Sequence, residues 1–229
     1  MLRMAGHDLL ALHALVKADV LEAFGKPLGV GKEADVYDAL TPGGRRVAVK
    51  FHRLGRISFK QTRRLRGYVS EGVWADWYIR SRSAAKREFK ALKLAFSAGV
   101  SVPEPLARNR HVVVMDIIEG TELANVSALP EPGDTLVEIL SNIRKAYVSA
   151  GIIHADLSEF NIIIRPDASI LIIDWPQFVY KDHPNARQLL ERDIRTVLKF
   201  FKRKFDLRAE LSQALDFVMG LADTLPEFT

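Results

Sequence analysis

Two isoleucine-rich runs, Asn161–Arg165 and Ile170–Asp174, flank Pro166-Asp167. Apolar runs of strand length that meet at a turn dipeptide read as an antiparallel hairpin. A hairpin centred between Asp167 and Ala168 makes positions 161 and 174 cross-strand partners, with Cα atoms about 4.5–5.5 Å apart. An amide oxygen and a carboxylate would then meet at one point, with Asp156 a few residues upstream in His154-Ala155-Asp156-Leu157-Ser158-Glu159-Phe160-Asn161. A hard divalent cation such as Mg²⁺ takes oxygen ligands, few of them from protein and the rest from phosphate and water. Asn161 and Asp174 are therefore the expected metal ligands. Any one of these residues alone is more simply a turn former or a strand end; His-x-Asp-x4-Asn followed by Ile-Asp asks for a common cause.

The 229 residues include no cysteine, which excludes disulfides, thiolate metal sites and cysteine nucleophiles together. What remains is oxygen and nitrogen chemistry, in one large domain or two small lobes. No apolar run approaches the roughly 20 residues of a membrane span, and Leu9–Val16 is broken by His13. The expectation is a cytoplasmic protein with no membrane partner. The formal charge of +5 hides an asymmetry: residues 45–93 hold 15 Lys/Arg against 3 Asp/Glu, and the remainder is acidic. Such a block either suits a polyanion, with Arg56, Lys60, Arg63, Arg64, Arg66, Arg80 and Arg82 meeting phosphates, or is a solvated face. Phe59, Tyr68, Trp74, Trp77 and Tyr78 interleave with these cations, either as stacking surfaces for RNA or as core.

Periodicity predicts a helix from Gly6 to Phe24, with Leu9, Leu12, Val16 and Val20 on one stripe and Gly25 as its stop. Gly29–Leu40 reads as β, Pro42-Gly43-Gly44 as a turn and Val47–Phe51 as a strand. Residues 55–80 lack a clean period and are expected to form a long loop or partly mobile insertion. Ser83 should cap a helix carrying Ala85, Phe89, Leu92 and Phe96, ended by Gly99. His111–Ile118 reads as a strand, Asp134–Ala150 as a helix capped by Asp134, and 185–205 as a final helix. A lobe boundary is expected after Ile118.

Two further sites carry chemistry. Gly29-Val30-Gly31-Lys32-Glu33-Ala34-Asp35-Val36 lies in a hairpin, where glycines let backbone approach a triphosphate, although Ala34 stands where kinases commonly have a third glycine. Lys50 closes a buried-looking strand. Its expected partner is Glu88, three residues after Ala85 and four before Leu92, hence on the edge of the apolar face of its helix.

Glycine-rich hairpin, strand lysine, helix glutamate, His-x-Asp-x4-Asn and Ile-Asp follow the order of parts in a protein kinase. The chain resembles the RIO atypical kinases, closely their second branch, through residues 29–37, Val49–Arg56, His154–Asn161, Ile173–Gln177 and His183–Ala186. The resemblance implies an α+β, two-lobed protein-kinase-like fold with a shortened C-lobe: a helix and linker over 1–24, an N-lobe over 25–118 with a basic loop near 55–82, and the C-lobe over 119–229. Only 55 residues follow Asp174, and no Ala-Pro-Glu occurs. By matched position, Gly29, Val30, Gly31, Lys32, Glu33, Val36 and Ala48 would line the nucleotide site. Met115 and Ile117 would hold adenine, Lys50 the phosphates in partnership with Glu88, and Ser58 would lie in the family's flexible loop. Asp156 matches the catalytic aspartate, and Asn161 and Asp174 match the ligands of Mg²⁺ or Mn²⁺. Asp174 also matches the aspartate that some members phosphorylate transiently as ATPases.

The resemblance further implies ATP as substrate and a role in small ribosomal subunit maturation, with the precursor or its RNA met by segment 56–82. Members of this branch typically begin with a winged-helix domain, of which the first 24 residues resemble the last helix and linker. Two other readings remain open. One is a small-molecule phosphotransferase of the choline or aminoglycoside type, which shares the His-x-Asp-x4-Asn and Ile-Asp pattern. The other is a nucleotide-switched RNA-binding module.

Overall fold

The computed structural model describes residues 4–54, 71–225 and 228, with backbone alone over 71–76. The predicted loop therefore falls partly outside the described residues, as do Ser58, Phe59, Tyr68 and the cations from Arg56 to Arg66. The chain divides into two compact units, Met1–Phe89 with Glu104–Ile118, and Lys90–Pro103 with Glu119–Thr229.

In the first unit α1 (Met4–Lys17) is followed by β1 (Ala23–Val30), β2 (Ala34–Leu40) and β3 (Arg46–His52), then by α2 (Glu71–Ser97), whose residues from Lys90 onward belong to the second unit, and by β4 (Pro105–Asn109) and β5 (Val112–Asp116). The sheet is antiparallel, in the order β1-β2-β3-β5-β4. Its core gathers Ala11 and Leu15 of α1 with Leu21, Ala39, Val47, Val49, Phe51, Val112 and Val114. Three expectations change here. The first helix stops at Lys17, where Asp19 turns left-handed (φ 53°) and the Val20 N–H donates back to the Leu15 carbonyl, so Phe24 belongs to a strand. Its inward face is Asp8, Ala11, Leu12 and Leu15, while Leu9 and Val16 of the expected stripe are exposed; the face includes a charged residue, which a purely apolar pattern passes over.

The second change is in α2, which begins at Glu71 and runs through Ser83 without a cap. Small and polar residues at 81–85 blur its period, yet Trp77, Ser81, Ala84 and Ala85 are buried. Trp77 and Tyr78 are accordingly packing residues, Tyr78 stacking on His7 with ring centroids 3.9 Å apart. The third is β4. The predicted strand from His111 is only half of a hairpin that turns at Arg110 (φ 51°), and it ends at Asp116.

The second unit holds β6 (Thr121–Glu122), α3 (Pro132–Arg144), β7 (Ile152–Ile153), β8 (Ile162–Ile164), β9 (Ile170–Ile172), β10 (Val179–Tyr180), α4 (Ala186–Phe205) and α5 (Leu211–Met219). The sheets are β6-β8-β9 and β10-β7. The helices bury Leu136, Ile139, Leu140, Leu190, Ile194, Val197, Phe201 and Val218. α3 starts after Glu131, which makes no side-chain cap, with Pro132 at its first turn, so Asp134 sits inside it and favours its positive end. A π-helical turn over Lys145–Ser149 follows, ended by Gly151 at φ 68°.

The hairpin forms one residue out of the expected register. Ile162 pairs with Ile172 and Ile164 with Ile170. Ala168 adopts φ 66° within a three-residue loop, and Arg165 and Ser169 close it through an N–H to carbonyl bond of 2.9 Å. The hairpin is centred on Asp167, whose carboxylate accepts from the Ser169 N–H and hydroxyl. Asn161 therefore faces Ile173 across the ladder, its carbonyl accepting the Ile173 N–H at 2.9 Å, and Asp174 lies one residue beyond. A two-residue connection would have paired 161 with 174; the extra left-handed residue moves every partner by one.

Candidate active site

In the first unit the pleat decides which side chains share a surface. Val47, Val49 and Phe51 point into the core against α1, so Ala48, Lys50 and His52 point the other way. Register pairs Val36 with Lys50 and Ala48 with Met115, which places Val36, Ala48, Lys50 and Met115 on one face of three neighbouring strands. Ile117 is half-buried beyond the end of β5. Gly29 and Val30 end β1, and exposed Gly31, Lys32 and Glu33 make the turn into β2. A Cβ on Gly29 would meet nothing within 4 Å, whereas one on Gly31 would stand 3.2 Å from the Ala34 carbonyl. The first glycine thus leaves open space above the backbone, and the second serves the turn itself.

Lys50 Nζ lies 2.6 Å from Glu88 Oε1, the pairing expected from the phase of α2. Glu88 is 1% exposed. Its second oxygen is 2.7 Å from His52 Nε2, a neighbour that sequence reading missed although it alternates with Lys50 along β3. Burial would raise the Glu88 carboxyl, but Lys50 and His52 together hold it down at about 2.

In the second unit Asp156 is exposed between buried Ala155 and Leu157. Ala155 holds a left-handed conformation (φ 65°) and its N–H donates to Asp193 Oδ2 at 2.7 Å, while the Leu157 N–H reaches Asp193 Oδ1 at 3.2 Å. Asp193 and the guanidinium of Arg192, which donates to the Ala155 carbonyl, thus fix the backbone on both sides of Asp156. Burial pushes the Asp193 carboxyl up to about 6 despite those backbone donors. Sequence reading missed this residue. Its signal was a carboxylate on the apolar stripe of α4, between Leu190, Ile194 and Val197.

Asn161 Nδ2 donates to the Asp156 carbonyl at 2.9 Å, and its own carbonyl accepts from Ile173. One residue thereby ties the Asp156 segment to the strand end that carries Asp174. Asp174 is left-handed (φ 66°), an uncommon conformation for a residue other than glycine and one that gathers at functional sites. Behind it, His154 Nε2 sits 2.9 Å from the Ile173 carbonyl and Trp175 Nε1 donates to the Ile172 carbonyl. With its amide nitrogen committed, Asn161 keeps its side-chain oxygen as an acceptor. An amide oxygen and a carboxylate are the donor types that suit Mg²⁺, and two of them leave the remaining positions to phosphate and water. Among the described residues no group of three or more His, Cys, Asp or Glu is placed to hold a metal ion.

The RIO domain model matches residues 35–214. The chain belongs to the RIO family. The RIO-type serine/threonine-protein kinase Rio2 of Methanocaldococcus jannaschii is 40% identical over 94% of this chain and 82% of its own length. Serine/threonine-protein kinase RIO2 of Caenorhabditis elegans is 41% identical over 91% of this chain but only 39% of its own length. The Rio2 kinase of Chaetomium thermophilum, solved as an ADP/Mg²⁺-phosphoaspartate complex, is 32% identical and superimposes with a TM-score of 0.80, covering 97% of this chain and 72% of that one. The expected protein-kinase-like fold is thus the observed one, and this RIO chain is an atypical kinase, an enzyme that transfers phosphoryl groups. No described helix is long and apolar enough to cross a membrane.

Proposed function

We propose that the chain is an ATP- and Mg²⁺-dependent serine/threonine kinase or ATPase, acting in the cytoplasm on the maturing small ribosomal subunit. The observation that carries the catalytic part is Asp156: a solvent-facing carboxylate whose two neighbours are buried and whose backbone is clamped by Asp193 and Asn161. Such a group is held ready to orient an attacking hydroxyl or water, and phosphoryl transfer asks for little more than positioning and neutralised charge. In this reading the turn 29–33 covers the phosphates and Lys50, braced by Glu88, neutralises them. Val36, Ala48, Met115 and Ile117 receive the base, and Asn161 and Asp174 hold the metal ion. The phosphoaspartate of the Chaetomium Rio2 complex supports Asp174 as a transient phosphoryl acceptor that water then discharges.

The ribosomal assignment rests on the family resemblance and on the basic block of residues 45–93. The same block favours a second reading, in which the nucleotide switches RNA binding and turnover is incidental. Asp156→Asn tests the catalytic reading. Nucleotide affinity should stay within a few-fold while turnover falls by roughly 10²–10⁴, the contribution of a positioned base. Near-normal phosphate release by the pure variant would rule it out.

A further inference from the structure

β1 is exposed along its whole length, and the turn that follows it has no core beneath it. A turn rich in glycine and lacking burial loses much conformational freedom when it orders. What grips it is Arg53. The Arg53 N–H donates to the Glu33 carbonyl at 2.6 Å, and its Nε donates to Asp35 Oδ2 at 2.8 Å. Both contacts fall within the four residues that lead from Gly31 into β2. The other two guanidinium nitrogens reach the Asp8 carboxylate on α1 as a fork, at 2.8 and 3.0 Å, and His111 Nε2 on the far side lies 2.7 Å from the same Asp8 oxygen. Arg53, Asp35 and His111 are nearly fully buried.

A buried guanidinium between two carboxylates contributes little net stability over an apolar packing, because desolvation consumes most of the attraction; its use is to fix one geometry. We propose that Arg53, oriented by Asp8, is a positioning residue for the phosphate-covering turn, so that docking of α1 sets part of the affinity for nucleotide phosphates. This rests on the reading of residues 29–33 as the phosphate cover. It extends that reading to α1, far from any group assigned to the reaction in the sequence.

Charge and anchoring predict opposite signs for Asp8→Ala. Removing a carboxylate from the neighbourhood of a polyanion strengthens binding, whereas releasing Arg53 loosens the turn and weakens it. The test is calorimetric titration of wild type and Asp8→Ala with Mg²⁺-ATP and separately with adenosine, which has no phosphates for the turn to cover. The expected result is a loss of about 5- to 20-fold for ATP, in the lower range of intramolecular coupling, with adenosine unchanged within twofold. Native-state hydrogen exchange at Gly31 should quicken, since its N–H is held by the Ala34 carbonyl at 2.8 Å.

Unchanged or tightened ATP binding, or equal losses for ATP and adenosine, overturns the proposal. A lowered melting temperature with unchanged ATP affinity likewise assigns the network to stability alone. Should Asp8→Ala fail to fold, Arg53→Lys keeps the charge but cannot grip Asp8 and Asp35 together, and the same pattern is expected of it. Failure of the phosphate-cover reading itself would be visible separately, as an ATP affinity unchanged by Gly29→Val, which fills the open space above the turn backbone and leaves the Arg53 contacts in place.

Discussion

A carboxylate in this protein takes its character from what surrounds it. Glu88 is wholly buried yet ionised, because Lys50 and His52 each meet one of its oxygens. Its carboxyl lies at about 2 in the fold against an ordinary 4.5. A group lowered by folding stabilises above its unfolded value, and that stabilisation is lost as pH falls from about 4.5 towards 2. Glu88→Gln removes the dependence. In denaturant unfolding, the stability gap between wild type and variant should be widest near pH 7 and narrow below pH 4.5; a gap constant from pH 6 to pH 3 contradicts the assignment. Asp193 is the opposite case, raised to about 6 by burial and retained for the backbone it holds. Asp174→Ala is expected to abolish Mg²⁺-dependent tightening of ATP while leaving metal-free adenosine binding, because the face carrying Ala48 and Met115 is untouched. Equal Mg²⁺ dependence in calorimetry for both proteins would exclude Asp174 as a ligand.

Elements meet at places that a linear pattern marks only faintly. Gly120 precedes β6 with φ 148°, and a Cβ there would stand 2.4 Å from the Ile164 carbonyl and 2.6 Å from Ile163 Cγ2. Backbone cannot retreat as a flexible side chain can, so Gly120→Ala must pry β6 from β8. The expected cost is about 2–4 kcal/mol, the range of overpacking joined to backbone strain, read as a lowered denaturation midpoint. A loss below about 0.5 kcal/mol would show that the turn relaxes freely. The hairpin of β8 and β9 illustrates the same sensitivity. Its existence and strand lengths were legible from the isoleucine runs and Pro166-Asp167, but its register depended on whether Ala168 would turn left-handed, and alanine carries no signal for that.

Over the whole chain, charge is the property that outlasts any local detail. If some four cations between Arg56 and Arg82 engage phosphates of small-subunit RNA, the log–log salt slope of binding should be about −3. Replacing Lys60, Arg63, Arg64 and Arg66 by Ser should flatten it with little change in ATP affinity. Altered turnover with an unchanged slope would make the segment a cover for the nucleotide instead. The order of parts, the hairpin and the facing of Glu88 towards Lys50 were determined by the sequence alone, because each follows from local period, turn chemistry or helix phase. The one-residue register, the start of α2 at Glu71, and the partners His52, Asp193 and Asp8 were decided only by tertiary structure. A buried polar group is defined by what it meets across the fold. Asp8 and His111 are 103 residues apart, and Asp193 meets Ala155 across 38; no local preference specifies such pairs, and the cost of leaving a buried charge unpaired does.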